Sequence, residues 1–211
     1  MLSLRQWELA EALGEVGQYG ACRIAEALTS AARHDLRVAL ERLDFERALQ
    51  RVGKVLQDFD LLAIKLGASP ENPALVPLVA LAEEYEAMLR TKALFLDEPR
   101  LVDFVVTDIH VQRYGPGSAG ISPHRDSRRF IKLISIFSLG SPAEFRLFRE
   151  RRGPPLNRYQ LNCGDLLLLQ APGFDQRPSA WPLHSVSGPT DDARYSVTLR
   201  MKQAAAATTT S

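Results

Sequence analysis

Cysteine is scarce in this sequence: only Cys22 and Cys163 occur among its 211 residues, and no C-x-x-C spacing is present. Two isolated cysteines supply neither the clustered ligands of a zinc knuckle nor a disulfide framework. Chains that depend on neither are typical of reducing compartments, so we expect a cytoplasmic protein.

Long apolar runs are also missing. No stretch approaches the roughly 20 apolar residues that span a membrane, and residues 1–8 lack the apolar core of a secretory signal. We therefore expect no membrane partner. With 45% hydrophobic residues, a chain of 211 residues can bury a substantial core, which predicts one domain with or without a helical extension.

The chain has no large excess of positive or negative charge, since its net charge is +1. Its two halves, however, differ in the sign of their net charge. Residues 1–100 carry 12 basic and 16 acidic side chains, whereas residues 101–211 carry 14 basic and 9 acidic ones, giving −4 and +5. Much of the positive charge lies between Arg125 and Arg158. It indicates either solvated strand edges and loops or a mouth that attracts an anionic substrate such as nucleic acid.

The order of local patterns divides the chain into three parts. Apolar residues at helical spacing predict a helical N-terminal support region over 1–100; they are Ile24, Ala27, Leu28 and Ala31, then Leu40, Leu43, Val52 and Leu56. Short strands follow, at 101–107, 109–114, 130–139, 144–149, 165–170 and 194–201. They predict an α+β fold whose core over 101–202 is a double-stranded β-helix, or jelly roll. Residues 203–211, rich in alanine and threonine, are predicted to be a disordered tail.

Two histidines and one aspartate suggest a metal site. His124 and Asp126 are separated by one residue, so on an extended segment both side chains point to the same side. His184 follows the apolar strand at 165–170 and a loop rich in proline, which suits a ligand from a neighbouring strand. Two imidazoles and one carboxylate leave one side of an octahedral ion open, as Fe(II) requires to hold a bidentate 2-oxo acid and then dioxygen. An isolated H-x-D tripeptide is weak evidence, so the prediction depends on the strand that follows His184.

That strand alternates between polar and apolar side chains. Its polar face carries Arg194, Ser196, Thr198 and Arg200, and its apolar face carries Tyr195, Val197, Leu199 and Met201. Buried guanidinium groups must be paired, and a dicarboxylic co-substrate would supply the anion. The alternative is an edge strand with solvated arginines.

Two segments resemble the AlkB-type branch of the Fe(II)/2-oxoglutarate-dependent dioxygenases, a likeness that extends over about 108–202. In that family Asn-Arg-Tyr-x-Pro-Gly precedes the H-x-D motif, and residues 112–117 read Gln-Arg-Tyr-Gly-Pro-Gly. The family's closing strand, Arg-Tyr-Asn-Leu-Thr-Phe-Arg, is similar to residues 194–200, with the same spacing between its arginines.

The resemblance implies roles for individual residues. It implies that His124, Asp126 and His184 are metal and catalytic residues that bind Fe(II). It also implies contacts with the co-substrate 2-oxoglutarate: Arg194 to the distal carboxylate, Tyr114 by a hydrogen bond, and Arg200 near the oxo-acid end or the metal-bound carboxylate. Gln112, which replaces the family's asparagine, shares its side of the strand with His110 and Tyr114 and is a further candidate contact.

We interpret the chain as an oxygenase that hydroxylates a C–H bond of a small molecule or an amino-acid-like substrate, using dioxygen and converting 2-oxoglutarate to succinate and CO2. The alternatives are oxidative demethylation of alkylated nucleic-acid bases and a non-catalytic jelly-roll module for binding or sensing. Base chemistry requires extrusion and an aromatic sandwich, whereas the aromatic residues before the metal motif are dispersed rather than gathered in a hairpin. Candidate substrate contacts are Arg125 and, in the loop before His184, Phe174, Arg177 and Trp181.

Overall fold

The computed structural model describes residues 1–67, 70–175 and 181–203. Its helices are α1 (Gln6–Tyr19), α2 (Ser30–Glu41) and α3 (Val76–Phe95), with a 3-10 turn at Pro73–Leu75. Its strands are β1 (Ala21–Ile24), β2 (Glu46–Arg47), β3 (Arg51–Val52), β4 (Val55–Asp58), β5 (Asp60–Lys65), β6 (Asp108–Tyr114), β7 (Gly120–His124), β8 (Phe130–Gly140), β9 (Ala143–Phe148), β10 (Pro155–Leu161), β11 (Leu166–Gln170), β12 (Leu183–Val186) and β13 (Arg194–Lys202). None of the helices in these ranges is long and apolar enough to cross a membrane.

The strands form two antiparallel sheets. The larger sheet has the order β1-β11-β8-β13-β6-β5-β2, and the smaller one has the order β10-β9-β12-β7-β4-β3. The two sheets enclose one apolar cluster, while the three helices cover the outer face of the larger sheet and enclose a second cluster. This architecture confirms the predicted α+β class and the double-stranded β-helix core.

The central position of β13 explains its alternating sequence. It pairs with β6 on one side and β8 on the other, so both of its faces are covered. Its apolar face, Tyr195, Val197 and Leu199, belongs to the cluster beneath the helices. Its polar face points between the sheets. Because side chains alternate along a strand, the apolar residues of β13 face the helices and the polar residues face the space between the sheets.

Helix α2 shows how local sequence sets the helix bounds. Thr29 has an extended backbone and accepts a hydrogen bond from the N–H of Ala32 at 3.2 Å, which satisfies one of the unpaired donors of the first turn. Helix α1 ends at Gly20, whose φ of 90° is readily adopted by glycine alone, and whose N–H donates to the carbonyl of Val16 at 2.9 Å.

Five strands lie in the region that was expected to be helical. Strand β1 pairs with β11, β5 with β6 and β4 with β7, so residues 1–100 extend both sheets as well as supporting them. Val52 and Leu56, assigned to a helix by their spacing, lie on the β3–β4 hairpin. Gly53 has a φ of 58°, and this left-handed conformation forms the turn that ends any helical path there.

The strands predicted over 109–114, 130–139, 144–149, 165–170 and 194–201 are confirmed to within one residue at each end. The strand expected over 101–107 is wrong. That segment passes over α3, where the N–H of Val106 donates to Glu86 Oε2 at 2.8 Å instead of to a neighbouring strand. Of the predicted tail, residues 204–211 lie outside the described residues.

Tyr85 connects the helical layer to the larger sheet. It is fully buried on α3, and its Oη lies 2.5 Å from the Oγ of Ser135 on β8. Its ring packs edge-on against Phe104 and Phe137, with centroid distances of 6.4 and 5.5 Å. This is a buried hydrogen bond within an apolar layer, so each partner depends on the other.

We predict that Tyr85→Phe lowers the free energy of unfolding by about 1–3 kcal/mol, because the Ser135 hydroxyl is then buried without a partner. Adding Ser135→Ala to Tyr85→Phe should restore most of that loss. Chemical denaturation of both single variants and the double variant gives the coupling energy directly. Additive losses in the double variant would contradict the proposed dependence.

Candidate metal centre and anion site

Three candidate ligands meet at one end of the space between the sheets. His124 is the last residue of β7, Asp126 follows two residues later, and His184 is directly opposite His124 on β12. One ligand atom of each residue lies within 4.8 Å of the others. The imidazole centroids are 4.2 Å apart, and His184 Nε2 is 3.4 Å from Asp126 Oδ2. The structure therefore brings the three residues together in the arrangement that the sequence predicts.

Backbone hydrogen bonds fix the imidazole tautomers. Nδ1 of His124 lies 3.0 Å from the carbonyl oxygen of Ser122, and Nδ1 of His184 lies 3.1 Å from that of Pro182. A carbonyl oxygen only accepts, so each Nδ1 carries the proton and each Nε2 keeps its lone pair for a metal. Burial lowers the pKa of His124, which keeps that ring neutral and able to coordinate at neutral pH.

Two glycines allow the strands that carry the ligands to approach closely. Gly120, with a φ of 76°, starts β7, and a Cβ there would meet the carbonyl oxygen of Val186 at 2.2 Å. A Cβ on Gly188 would meet the carbonyl oxygen of Ser118 at 1.8 Å. Backbone atoms occupy these positions, so a larger residue would force β7 away from the chain that carries His184.

A narrow cavity extends inward from the three ligands. Its polar wall consists of His110, Gln112, Tyr114, Arg194, Ser196, Thr198 and Arg200, and its apolar wall includes Ile134, Ile136, Phe145 and Val186. The cavity has a volume of about 50 Å³ and is therefore a confined space.

Arg194 is a buried cation without an anion. It is 1% exposed, and its Nη2 donates to Ser138 Oγ at 3.2 Å. Its Nε and Nη1 have no hydrogen-bond partner within the described ranges. Its guanidinium lies 5.3 Å from the ring of Tyr114, and burial lowers the pKa of Arg194. Because an uncompensated buried charge is strongly unfavourable, this geometry is suited to an anionic ligand.

Arg200, the second arginine of β13, has an anion already. Its Nη2 donates to Asp108 Oδ2 at 2.9 Å, and its guanidinium lies 3.7 Å from the centre of the Phe130 ring. The same carboxylate oxygen is 3.4 Å from both His110 Nε2 and Lys202 Nζ. Arg200 is therefore held by the protein itself, which distinguishes it from Arg194.

Asp108 was missed by the sequence analysis, although the signal for it was present. It shares the period-two alternation that places His110, Gln112 and Tyr114 on one side of β6. His110 lines the cavity as a member of this polar wall. Burial, followed by the charge of Arg200, lowers the pKa of His110 to about 4, so its ring is neutral at neutral pH.

Tyr114 and Gln112, both predicted co-substrate contacts, line the cavity beside Arg194. The Oη of Tyr114 donates to Oε1 of Gln112 at 3.2 Å, and burial raises the pKa of Tyr114 to about 12. The tyrosine is therefore a neutral hydroxyl at neutral pH, and its single proton would have to turn from Gln112 to reach an anion held by Arg194.

The structure places the candidate substrate contacts in different parts of the molecule. Arg125 is exposed beside the ligands; its Nε donates to the carbonyl oxygen of Trp181 at 2.9 Å, and its guanidinium lies 5.7 Å from the Trp181 ring. Phe174 lies elsewhere: it is fully buried in the cluster beneath the helices, 4.4 Å from the guanidinium of Arg100, and does not line the cavity. Its N–H closes a turn onto Ala171, which directs the ring inward. Arg177 is outside the described residues.

Comparison with known proteins gives matches at the level of structure. No family model and no curated protein matches the sequence. An oxidoreductase of the 2OG-Fe(II) oxygenase family from Burkholderia pseudomallei has a TM-score of 0.65 and 14% identity, over 91% of this chain and 88% of that one. A prolyl hydroxylase from Trichoplax adhaerens, solved with a peptide fragment, has a TM-score of 0.61 and 13% identity, over 95% and 94%. OsALKBH1 has a TM-score of 0.56 and 15% identity, over 86% and 98%. At these identities the likeness is one of fold, and the chain has the AlkB-like double-stranded β-helix fold of the Fe(II)/2-oxoglutarate oxygenases.

Proposed function

We propose that this protein is an Fe(II)- and 2-oxoglutarate-dependent oxygenase that hydroxylates a C–H bond of a small molecule or an amino-acid-like group. Buried Arg194, without an anion and in the same cavity as the three candidate ligands, is the observation that carries the proposal. A structural or storage metal site has no need of such a cation, whereas a site for a dicarboxylate does.

His124, Asp126 and His184 would hold the iron through the two Nε2 atoms and a carboxylate oxygen. This set of two histidines and one carboxylate is typical of non-haem Fe(II) oxygenases, because it leaves adjoining coordination positions open. Bound there, iron and 2-oxoglutarate would supply the oxidation, with succinate and CO2 as products of the co-substrate.

The polar wall would orient the co-substrate. Arg194 offers Nε and Nη1 to a distal carboxylate, and the neutral hydroxyl of Tyr114 lies beside it. Arg200 is occupied by Asp108, which favours Arg194 as the principal anchor. A charge-assisted contact of this kind contributes both affinity and orientation.

The apolar wall would exclude water from the reacting end. Phe145 stacks on the His184 ring at 5.1 Å with an interplanar angle of 15°, and Ile134 and Ile136 face it from β8. Exclusion of water strengthens the electrostatic contacts within the site and limits side reactions. The peptide bound to the prolyl hydroxylase of similar fold favours an amino-acid-like group as the substrate.

We predict that anaerobic addition of Fe(II) and 2-oxoglutarate produces a visible charge-transfer absorption band in the wild type and none in His184→Ala. The two remaining ligands hold the ion poorly, so the chromophore is not formed. His34→Ala provides the matched control, because His34 is exposed on α2 and should leave the band unchanged. A normal band in His184→Ala would mean that the ligand set is different.

We predict that Arg194→Ala weakens 2-oxoglutarate binding by roughly one to two decades, since a hydrogen bond to a charged group contributes about 1.5–3 kcal/mol. Iron affinity should change little. Arg113→Ala is the control, because Arg113 lies on β6 but pairs with Asp60 at 2.9 Å rather than facing the cavity. Titration of the absorption band with 2-oxoglutarate measures both effects, and an unchanged midpoint in Arg194→Ala would reject this anchor.

Substrate-dependent succinate formation tests the reaction class. A panel of amino-acid derivatives and other small molecules should include a substrate, and alkylated oligonucleotides serve as the comparison. Turnover of oligonucleotides alone would replace this proposal with base demethylation. Binding of iron and 2-oxoglutarate without turnover of any panel would favour a module for binding or sensing.

A further inference from the structure

A basic groove lies on the surface beside the candidate metal centre. One side is the β3–β4 hairpin with Arg51, Gly53, Lys54 and Leu56, the other side is the β9–β10 connection with Glu150, Arg151 and Arg152, and the floor is Ser122 and Pro123. The groove has a volume of about 800 Å³, compared with about 50 Å³ for the inner cavity. Four cations and one carboxylate line it, a net charge of +3.

The cations of this basic groove have no carboxylate partner among the described residues, whereas several other arginines of the chain do. Arg37, Arg47, Arg100, Arg113, Arg146 and Arg158 each pair with a carboxylate. Within the described ranges no carboxylate lies within 4.0 Å of the charged nitrogens of Arg51, Lys54, Arg151 or Arg152. Like charges that gather without counterions repel one another, so the surface is preorganised for an anionic partner.

The groove adjoins the strand that ends in the first candidate ligand. Its floor residue Pro123 directly precedes His124, and Nη1 of Arg151 donates to the carbonyl oxygen of Pro123. A molecule held in the groove therefore lies alongside the strand that presents the first ligand. The floor also joins the two walls, because the N–H of Leu56 donates to Ser122 Oγ at 2.9 Å.

The size of the inner cavity decides how a substrate reaches the centre. The inner cavity has a volume of about 50 Å³, and the proposed co-substrate would occupy part of it, which leaves little room for a bulky target. The end of a single side chain needs less room beside the three candidate ligands than a nucleobase extruded from a strand, which has to be enclosed in a pocket.

The chemistry of the groove favours a polypeptide over a nucleic acid. None of the described residues that line it is aromatic, and single-stranded nucleic acids are held largely by stacking of bases on aromatic rings. Apolar side chains stand among the cations instead: Leu56 is 48% exposed, and the adjoining Val52 is 51% exposed. Mixed apolar and cationic contacts match a peptide with both acidic and apolar residues.

We propose that this groove binds an acidic segment of a polypeptide and so presents a nearby side chain of that polypeptide to the metal centre. The proposal rests on the proposed oxygenase function for its second half. Docking of the acidic segment is a separate property of the surface and can be measured without turnover.

The test uses the full chain with fluorescence anisotropy under anaerobic conditions, with and without Fe(II) and 2-oxoglutarate. Three labelled probes are compared: an oligoglutamate peptide, an oligoglutamine peptide of equal length and an oligothymidylate of equal charge. The groove variant combines Arg51→Glu and Arg152→Glu. The control combines Arg42→Glu and Arg90→Glu, two exposed arginines of the helical layer. Thermal unfolding of each variant reports its folded state.

We expect the wild type to bind oligoglutamate, oligoglutamine to bind far more weakly, and the groove variant to lose about tenfold in oligoglutamate affinity. The control variant should bind like the wild type, and all three proteins should keep the charge-transfer band. Tighter binding of oligothymidylate than of oligoglutamate in the groove would overturn the proposal and indicate a nucleic-acid partner. Equal losses of oligoglutamate affinity in the groove variant and the control variant would overturn it and indicate nonspecific electrostatic attraction. Loss of the band with groove-dependent oligoglutamate binding retained would reject the oxygenase function alone.

Discussion

The buried guanidinium of Arg194, with no carboxylate paired to it among the described residues, is the constraint around which the inner cavity is built. Arg194 lies at the beginning of β13, which is central in the larger sheet. Its guanidinium contacts the Ser138 hydroxyl and lies over the Tyr114 ring. Ser138 and Tyr114 solvate the guanidinium only in part, and burial already lowers the pKa of Arg194. A cation in this condition destabilises the unliganded fold and gains greatly from a carboxylate. The tight covering of β13 by helices and neighbouring strands is what keeps the charge in place.

The two arginines of β13 differ in whether a carboxylate of the protein pairs with them. They occupy the same face, six residues apart, yet Arg200 is neutralised by Asp108 from the adjacent strand while Arg194 is not. An internal ion pair fixes a side chain in position and removes most of its attraction for an external anion. Arg200 is thus a fixed part of the cavity wall, whereas the guanidinium of Arg194 keeps two nitrogens without a hydrogen-bond partner among the described residues.

The sequence allowed the central strands to be predicted because their alternation is unbroken over several residues, as in β6 and β13. It also indicated the three ligands, since an H-x-D spacing has a direct consequence on an extended chain. The short strands β7 and β12 were not predicted, because their pairing is decided by chain segments far apart in sequence and by the close approach at Gly120. The strands β1–β5 were missed for the same reason: isolated apolar residues fit a helical period until a partner strand is available.

The hairpin of β3 and β4 lies beside the candidate metal centre, where the sequence predicts helices. The sequence led us to expect helices before the metal motif, and therefore no hairpin at the mouth. The structure has a hairpin there, paired through β4 to the strand that ends at His124, but it carries cations and aliphatic side chains instead of aromatic rings. In the proposed function, the confined inner cavity would hold a small dicarboxylate and a metal ion, and the wide, charged outer groove would bind the polypeptide. Selectivity would then arise from contacts made outside the inner cavity.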